Sequence, residues 1–119
     1  MKLSNSEMSL MDIIWERAPI KSGVLVKDAF ERLGWTKSTV YTIVKKLTIK
    51  GAVKSEDAVI TPMCKKEEVM GERSDELIEK GYNGSLPMFL AAFLQKGKLT
   101  REEAEELKRL IDSYVDERR

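Results

Sequence analysis

The segment that most constrains the fold runs from Trp35 to Gly51, where the chain carries four lysines and no carboxylate. Its apolar residues recur with the i, i+3, i+4, i+7 spacing of a helix that buries one face. They are Val40, Ile43, Val44 and Leu47. Thr36 and Gly51 suit the N-cap and C-cap positions. The Thr, Val, Ile and Tyr residues favour strands, but the segment does not alternate cleanly between apolar and polar residues. We therefore predict a helix.

The exposed face of this predicted helix carries cations, hydroxyl groups and a phenol. Such side chains pair with DNA phosphates and reach base edges, so they are typical of a DNA-recognition helix. Residues 36–55 hold five lysines and no carboxylate, although the net charge of the whole chain is only +1. The predicted DNA-binding residues are Lys37, Ser38, Thr39, Tyr41, Thr42, Lys45, Lys46 and, in the segment that follows, Lys54. A solvated lysine-rich helix face is the alternative interpretation.

Two further helices are predicted before this segment. Ser4 and Glu7 have capping-box spacing at the start of the first helix, and Pro19 ends it. Ser22 is expected to cap the second helix, and Gly34 to close it. The predicted apolar faces are Met8, Met11, Ile14, Trp15 and Ala18 in the first helix, and Leu25, Val26, Ala29, Phe30 and Leu33 in the second. Because the connection to the third helix is very short, we predict a helix-turn-helix.

Two short apolar runs follow, at residues 52–55 and 58–62, on either side of Glu56 and Asp57. This pattern predicts a β-hairpin with an acidic tip. Three helices and a hairpin form the winged variant of the helix-turn-helix, in which the third helix enters the major groove of DNA. Carboxylates are unfavourable next to phosphates, so we expect this hairpin, the wing, to contribute little to DNA binding or only to orient the domain.

From residue 65 onward the sequence predicts helices only, at 65–81, 85–96 and 100–119. Three short helices cannot bury the apolar surface that these segments carry, so we predict a two-fold dimer. The predicted interface residues are Leu86, Phe89, Leu90, Phe93, Leu94, Leu107, Leu110, Ile111 and Tyr114. The alternative is an intrachain core against the winged helix. The predicted fold is therefore mainly α, with a winged-helix domain at 1–64 and a three-helix dimerisation domain at 65–119.

The composition disfavours several classes of function. The chain has no histidine and a single cysteine, Cys64, so the usual residues of zinc sites and catalytic triads are lacking. We therefore predict no enzyme activity, no metal and no cofactor. No apolar run approaches the ~20 residues of a membrane span, and the first residues lack the apolar stretch of a signal peptide. We expect a cytoplasmic protein without a membrane partner.

Six stretches of the chain together carry a family resemblance: residues 3–15, 35–40, 47–52, 84–85, 90–94 and 99–107. In this order and spacing they resemble the penicillinase repressor family of the BlaI/MecI type, which includes copper repressors. The resemblance implies a homodimeric transcriptional repressor that binds a double-stranded DNA operator through its winged helix and dimerises through its C-terminal helices. It also implies operator contacts at Ser38, Thr39, Thr42 and Lys46.

The chain departs from the family pattern at several positions. Lys37 stands where a proline is common, Ser38 stands where a basic residue is frequent, and the wing is shorter and less basic. Relatives of the antibiotic-resistance type are inactivated by proteolysis near the position of Ala92 and Phe93, with Asn where this chain has Ala. These two residues are therefore a candidate proteolytic switch, with a sensor protease as the candidate partner. The paired Cys-X-Cys ligands of the copper-responsive branch are absent from the sequence, so copper sensing is not expected.

Two functions remain open at this point. The first is a dimeric repressor that occupies a palindromic operator through its third helix. The second is a winged-helix protein-interaction module, or a heterodimerising modulator with weak DNA binding, in which the acidic wing faces a protein partner.

Overall fold

The fold is mainly α, with a small antiparallel sheet, as the sequence predicts. A computed structural model describes residues 1–118. In chain order the elements are α1 (Asn5–Arg17), β1 (Ile20–Lys21), α2 (Ser22–Leu33), α3 (Lys37–Lys50), β2 (Val53–Glu56), β3 (Val59–Pro62), α4 (Lys66–Gly81), α5 (Leu86–Leu94) and α6 (Arg101–Glu117). They form two compact units, Met1–Glu76 and Leu77–Arg119. Arg119, at the end of the predicted sixth helix, lies outside the described residues.

The ends of the first three helices follow mostly from local sequence signals. Ser4 and Glu7 form the predicted capping box at the start of α1. Gly34 and Gly51 adopt the left-handed conformation that closes α2 and α3. The predicted cap of α2 is wrong by one residue, because Lys21 is the N-cap and makes no side-chain hydrogen bond there. Ser22 is the first helical residue, and its backbone N–H donates to the carbonyl of Ala58 at 2.8 Å.

The predicted hairpin is confirmed as β2 and β3, and β1 adds a third strand. The strand order is β1-β3-β2, and both pairs are antiparallel. Ile60 lies opposite Ile20 on one side and Ser55 on the other. Ile20 and Ile60 are buried, so this short sheet closes one end of the core of the first unit.

The hairpin turn places two residues other than glycine in the left-handed region. Asp57 has φ of 52° and Ala58 has φ of 61°. A two-residue hairpin turn with positive φ at both central positions favours Asn and Gly, because a Cβ atom is strained there.

We expect the Ala58→Gly variant to be more stable than the wild type by about 0.5 kcal/mol. The strain of Ala58 at positive φ is relieved, and the added flexibility of the unfolded chain offsets part of this gain. Urea unfolding followed by circular dichroism measures the difference. The matched control is Ala91→Gly, which places the same change inside α5 and should destabilise the chain. A loss of stability in Ala58→Gly would contradict the strain assigned to this turn.

The core of the first unit is formed by α1, α2, α3, the sheet and the start of α4. Its fully buried side chains include Leu10, Met11, Ile14, Leu25 and Leu47. One residue of the predicted apolar face of α2 is misassigned, because Phe30 is 66% exposed. It follows the buried Ala29 and therefore points about 100° away from it around the helix.

The second unit contains the end of α4 and the helices α5 and α6. Ser85 and Thr100 cap α5 and α6, and Thr100 forms a capping box with Glu103. Tyr82 and Phe89 meet edge to face at 5.3 Å between ring centroids. None of the described residues of α5 or α6 is buried, so this unit exposes most of its apolar side chains. Among residues 1–118, no helix is long and apolar enough to span a membrane.

Candidate nucleic-acid interface

Helix α3 has the predicted buried and exposed faces. Val40, Ile43, Val44 and Leu47 are buried against the first unit. The predicted contact residues on the helix are all exposed: Lys37, Ser38, Thr39, Tyr41, Thr42, Lys45 and Lys46. Lys37 and Lys46 are separated by about 14 Å along the helix axis. The structure therefore brings these residues together on one continuous polar surface, which we call the α3 face.

The first turn of α3 is fixed by hydroxyl groups. The Thr36 hydroxyl accepts from the backbone N–H of Thr39 at 3.3 Å. The Thr42 hydroxyl donates to the Ser38 carbonyl at 2.9 Å. Lys37 lies over the Tyr41 ring, with its Nζ 5.7 Å from the ring centroid. A hydroxyl that donates to the backbone can still accept a hydrogen bond, so Thr42 can accept from a base amino group.

The lysines of the segment have different surroundings. Within residues 1–118, neither Lys45 nor Lys46 has an ion-pair partner, so both remain available for phosphates. Lys50 is engaged in the fold, because its Nζ lies 2.6 Å from Glu7 Oε1 and 2.9 Å from the Lys2 carbonyl. The sequence spacing indicates this different position of Lys50. It follows the buried Leu47 by three positions, so it lies beside the apolar stripe rather than on the α3 face.

Glu7 is a buried carboxylate beneath the C-terminal end of α3, with only 2% of its side chain exposed. Its Oε1 also accepts from the backbone N–H of Ser4 at 2.8 Å, while its Oε2 is buried without a hydrogen-bond partner. Burial opposes ionisation, but the hydrogen bonds from Lys50 and Ser4 outweigh it and lower the pKa of Glu7. Glu7 is thus held as a carboxylate that depends on Lys50 for its countercharge.

Lys54 lies on β2, in the wing, and not on the α3 face. Its Nζ is 3.3 Å from Glu56 Oε1, and both side chains are exposed. The predicted phosphate contact at Lys54 would therefore compete with a neighbouring carboxylate. A phosphate contact at Lys54 stays a prediction, and the ion pair with Glu56 disfavours it.

Cys64 takes part in contacts that stabilise the fold. The indole Nε1 of Trp15 donates to the Cys64 carbonyl at 2.9 Å, and the Cys64 thiol contacts the Ala52 carbonyl at 3.7 Å. Burial, followed by the nearby carboxylate of Glu68, raises the pKa of the thiol. Trp15 and Cys64 therefore join α1 to the end of the sheet.

The three packed helices, the hairpin and the basic α3 face define a winged-helix protein. Residues 3–113 match the sequence profile of the family described as penicillinase repressor. The chain belongs to the penicillinase repressor family.

Two relatives are similar along almost their whole length. The penicillinase repressor of Bacillus licheniformis is 24% identical over 122 residues, which cover 99% of this chain and 95% of the relative. The methicillin resistance regulatory protein MecI of Staphylococcus aureus (strain N315) is 22% identical over 115 residues, which cover 93% of this chain and 94% of the relative.

Two solved structures have the same fold in the first part of the chain. The solution structure of the DNA-binding domain of the repressor BlaI gives a TM-score of 0.50 at 25% identity, covering 56% of this chain and 87% of that domain. The monomeric form of BlaI from Bacillus licheniformis, in complex with the blaP half-operator, also gives 0.50 at 25% identity, covering 57% and 88%. These comparisons confirm the fold predicted from the sequence.

Proposed function

We propose that this chain is a dimeric transcriptional repressor that occupies a two-fold symmetric DNA operator through α3. The observation that carries the proposal is the α3 face, which is polar, rich in lysine, free of carboxylates and supported by a winged-helix core. Family membership supports the same function, since a related repressor has been solved in complex with a half-operator.

Within this proposal, the residues of the α3 face have two roles. Ser38, Thr39 and Thr42 lie in the first half of the helix and contact base edges, because their short hydroxyl side chains can exchange hydrogen bonds with bases in the major groove. The cationic and aromatic residues hold phosphates and the backbone: Lys37, Tyr41, Lys45 and Lys46. Lys54 is a weaker phosphate contact on the wing.

Dimerisation is proposed for the second unit because of its exposed apolar residues. In α6, Leu107, Leu110, Ile111 and Tyr114 follow the spacing of one helix face, and all are exposed. A groove of about 270 Å³ lies between α5 and α6, lined in part by Phe93 and Leu99. Residues of α5 complete the proposed interface: Leu86, Phe89, Leu90, Phe93 and Leu94. The boundary of this dimerisation domain after residue 64 is part of the proposal.

A sensor protease is a proposed partner on the basis of the family resemblance alone. Ala92 and Phe93 are the proposed switch, and both are exposed in α5. Cleavage there would divide α5 and with it the proposed dimer interface.

We expect the Lys46→Ala variant to bind all duplexes more weakly and to reduce the slope of log K against log salt by about one per subunit contact. By contrast, the Thr42→Val variant should change the preferred sequence and leave the slope intact. Fluorescence anisotropy with labelled duplexes between 50 and 200 mM salt measures both effects. The matched control is Lys98→Ala, an exposed lysine outside the α3 face. An unchanged slope for Lys46→Ala would contradict its role as a phosphate contact.

A protein-interaction module is the second candidate function, because the wing carries Glu56 and Asp57 at its exposed tip. The same titration separates the two candidates. Salt-sensitive binding of duplex DNA supports the repressor, whereas no binding at micromolar concentrations of protein supports the interaction module.

A further inference from the structure

Ile49 is the most exposed large hydrophobic residue among residues 1–118, with 77% of its surface accessible. It lies in the last turn of α3, between Thr48 and Lys50. The apolar stripe of the same helix is buried on the opposite side, so Ile49 takes no part in the core. Single exposed hydrophobic residues are common on protein surfaces. The exposure of Ile49 therefore indicates a function only through its position on the helix.

Ile49 is aligned with two proposed base contacts, Ser38 and Thr42, and with Lys45, a proposed phosphate contact. Ser38, Thr42, Lys45 and Ile49 succeed one another at intervals of four, three and four positions. Residues with this spacing lie on one line along the surface of a helix. The line is about 16 Å long from Ser38 to Ile49. Ile49 therefore extends the centre of the α3 face by one further turn.

The immediate surroundings of Ile49 favour DNA. Lys45 and Lys46 precede it by four and three residues, so both are its neighbours on the helix surface, one turn nearer the N-terminus. Both lysines lack an ion-pair partner among the described residues and are available for phosphates. An apolar side chain one turn from two such lysines lies close to the groove when the lysines contact the DNA backbone.

The major groove offers one apolar group to such a side chain, the C5-methyl group of thymine. Isoleucine is branched at Cβ and has one strongly preferred χ1 rotamer in a helix, so its methyl groups are held in a defined direction. We propose that Ile49 is a specificity-determining residue, which contacts a thymine methyl group in each half-site of the operator. This inference rests on the proposed function and names a base that the α3 face recognises.

The test uses deoxyuridine, which differs from thymidine only in that its base lacks the C5-methyl group. An operator is first selected from random duplexes with the full-length wild-type chain. Each thymine of one half-site is then replaced in turn by deoxyuridine, and affinities are measured by fluorescence anisotropy. At one position the wild type should lose affinity about four-fold, the change that corresponds to burying one methyl group. The Ile49→Ala variant should bind the thymine and deoxyuridine duplexes equally at that position.

The control variant is Met70→Ala, which shortens another exposed apolar side chain, on α4. It should retain the four-fold difference. Circular dichroism of Ile49→Ala should show an intact helix, because alanine favours helix at an exposed position.

The possible failures are distinguishable. Sequence-specific binding in which every deoxyuridine affects the wild type and Ile49→Ala equally overturns the inference and leaves the proposed function intact. The same holds if no deoxyuridine reduces the affinity of the wild type. If the wild type binds no duplex in a salt-sensitive manner, the proposed function itself is overturned, and the inference with it.

Discussion

The Lys50→Met variant should be less stable than the wild type by about 2 kcal/mol. Lys50 supplies the countercharge of Glu7, whose side chain is 2% exposed and whose Oε2 has no hydrogen-bond partner. Removing the lysine leaves a buried carboxylate without compensation. We expect a smaller loss than the roughly 3–5 kcal/mol of fully buried pairs, because Lys50 itself is partly exposed. Urea unfolding at pH 7, followed by circular dichroism, measures the change.

The effect should depend on pH in a defined direction. The folded state lowers the pKa of Glu7 below its ordinary value of 4.5. The stabilisation from this ion pair is therefore present above that value and is lost as the pH falls through the lower, folded-state pKa. The variant should approach the wild type in stability as the pH is lowered, because a protonated Glu7 needs no countercharge.

Two further variants separate the charge effect from lost packing. The Lys46→Met variant makes the same substitution on the exposed α3 face and should change stability by less than about 0.5 kcal/mol. Adding Glu7→Gln to Lys50→Met should restore more than half of the loss, since the amide is neutral and its oxygen still accepts from Ser4. Equal losses for Lys50→Met and Lys46→Met would contradict the role assigned to Lys50.

The Leu110→Asp variant should be monomeric at concentrations where the wild type is a dimer. Leu110 is 65% exposed and lies in the middle of the apolar stripe of α6. If this stripe is the dimer interface, the variant buries an unpaired carboxylate there, which costs several kcal/mol. We expect the dissociation constant of the dimer to increase at least about 100-fold, and the affinity for the operator to fall as a result. Sedimentation equilibrium and anisotropy measure the two quantities.

The high exposure of Leu110 makes the experiment specific for association, because the substitution removes little packing within one chain. The control is Phe30→Asp, which introduces the same charge at an equally exposed apolar position of α2, outside the proposed dimerisation domain. It should remain dimeric. A Leu110→Asp variant that sediments like the wild type would exclude α6 as the interface and favour an intrachain role for the apolar stripe.

Features encoded by neighbouring residues could be predicted from the sequence. Helix α3 follows from the spacing of its apolar residues and from its caps Thr36 and Gly51, even though many of its residues favour strands. The capping boxes of α1 and α6 follow from the spacing of Ser4 with Glu7 and of Thr100 with Glu103. The exposure of the α3 face follows from the same periodicity.

Features that depend on distant residues could not be predicted in this way. The pairing of β1 with β3 joins two-residue segments that are about forty positions apart, and no local pattern encodes their register. The ion pair of Lys50 with Glu7 spans 43 positions. The capping role of Glu7 is encoded by its spacing from Ser4. Its ion pair with Lys50 forms only when α1 and α3 pack together, so no local pattern predicts it. The exposure of Phe30 likewise depends on which part of a broad apolar face the other helices cover.

The ion pair between Lys54 and Glu56 has a consequence for how operator occupancy responds to ionic strength. If Lys54 binds a phosphate, it leaves the carboxylate of Glu56 without its partner, so the net charge that the wing brings to the DNA is small. The wing therefore adds little to the release of cations from the DNA on binding. In the proposed complex, binding is then linked to salt mainly through the lysines of α3. When a cell accumulates potassium under osmotic stress, a repressor with such a wing retains a larger share of its bound state than one whose wing is basic. We therefore expect the acidic wing to lower operator affinity and to make repression less sensitive to ionic strength.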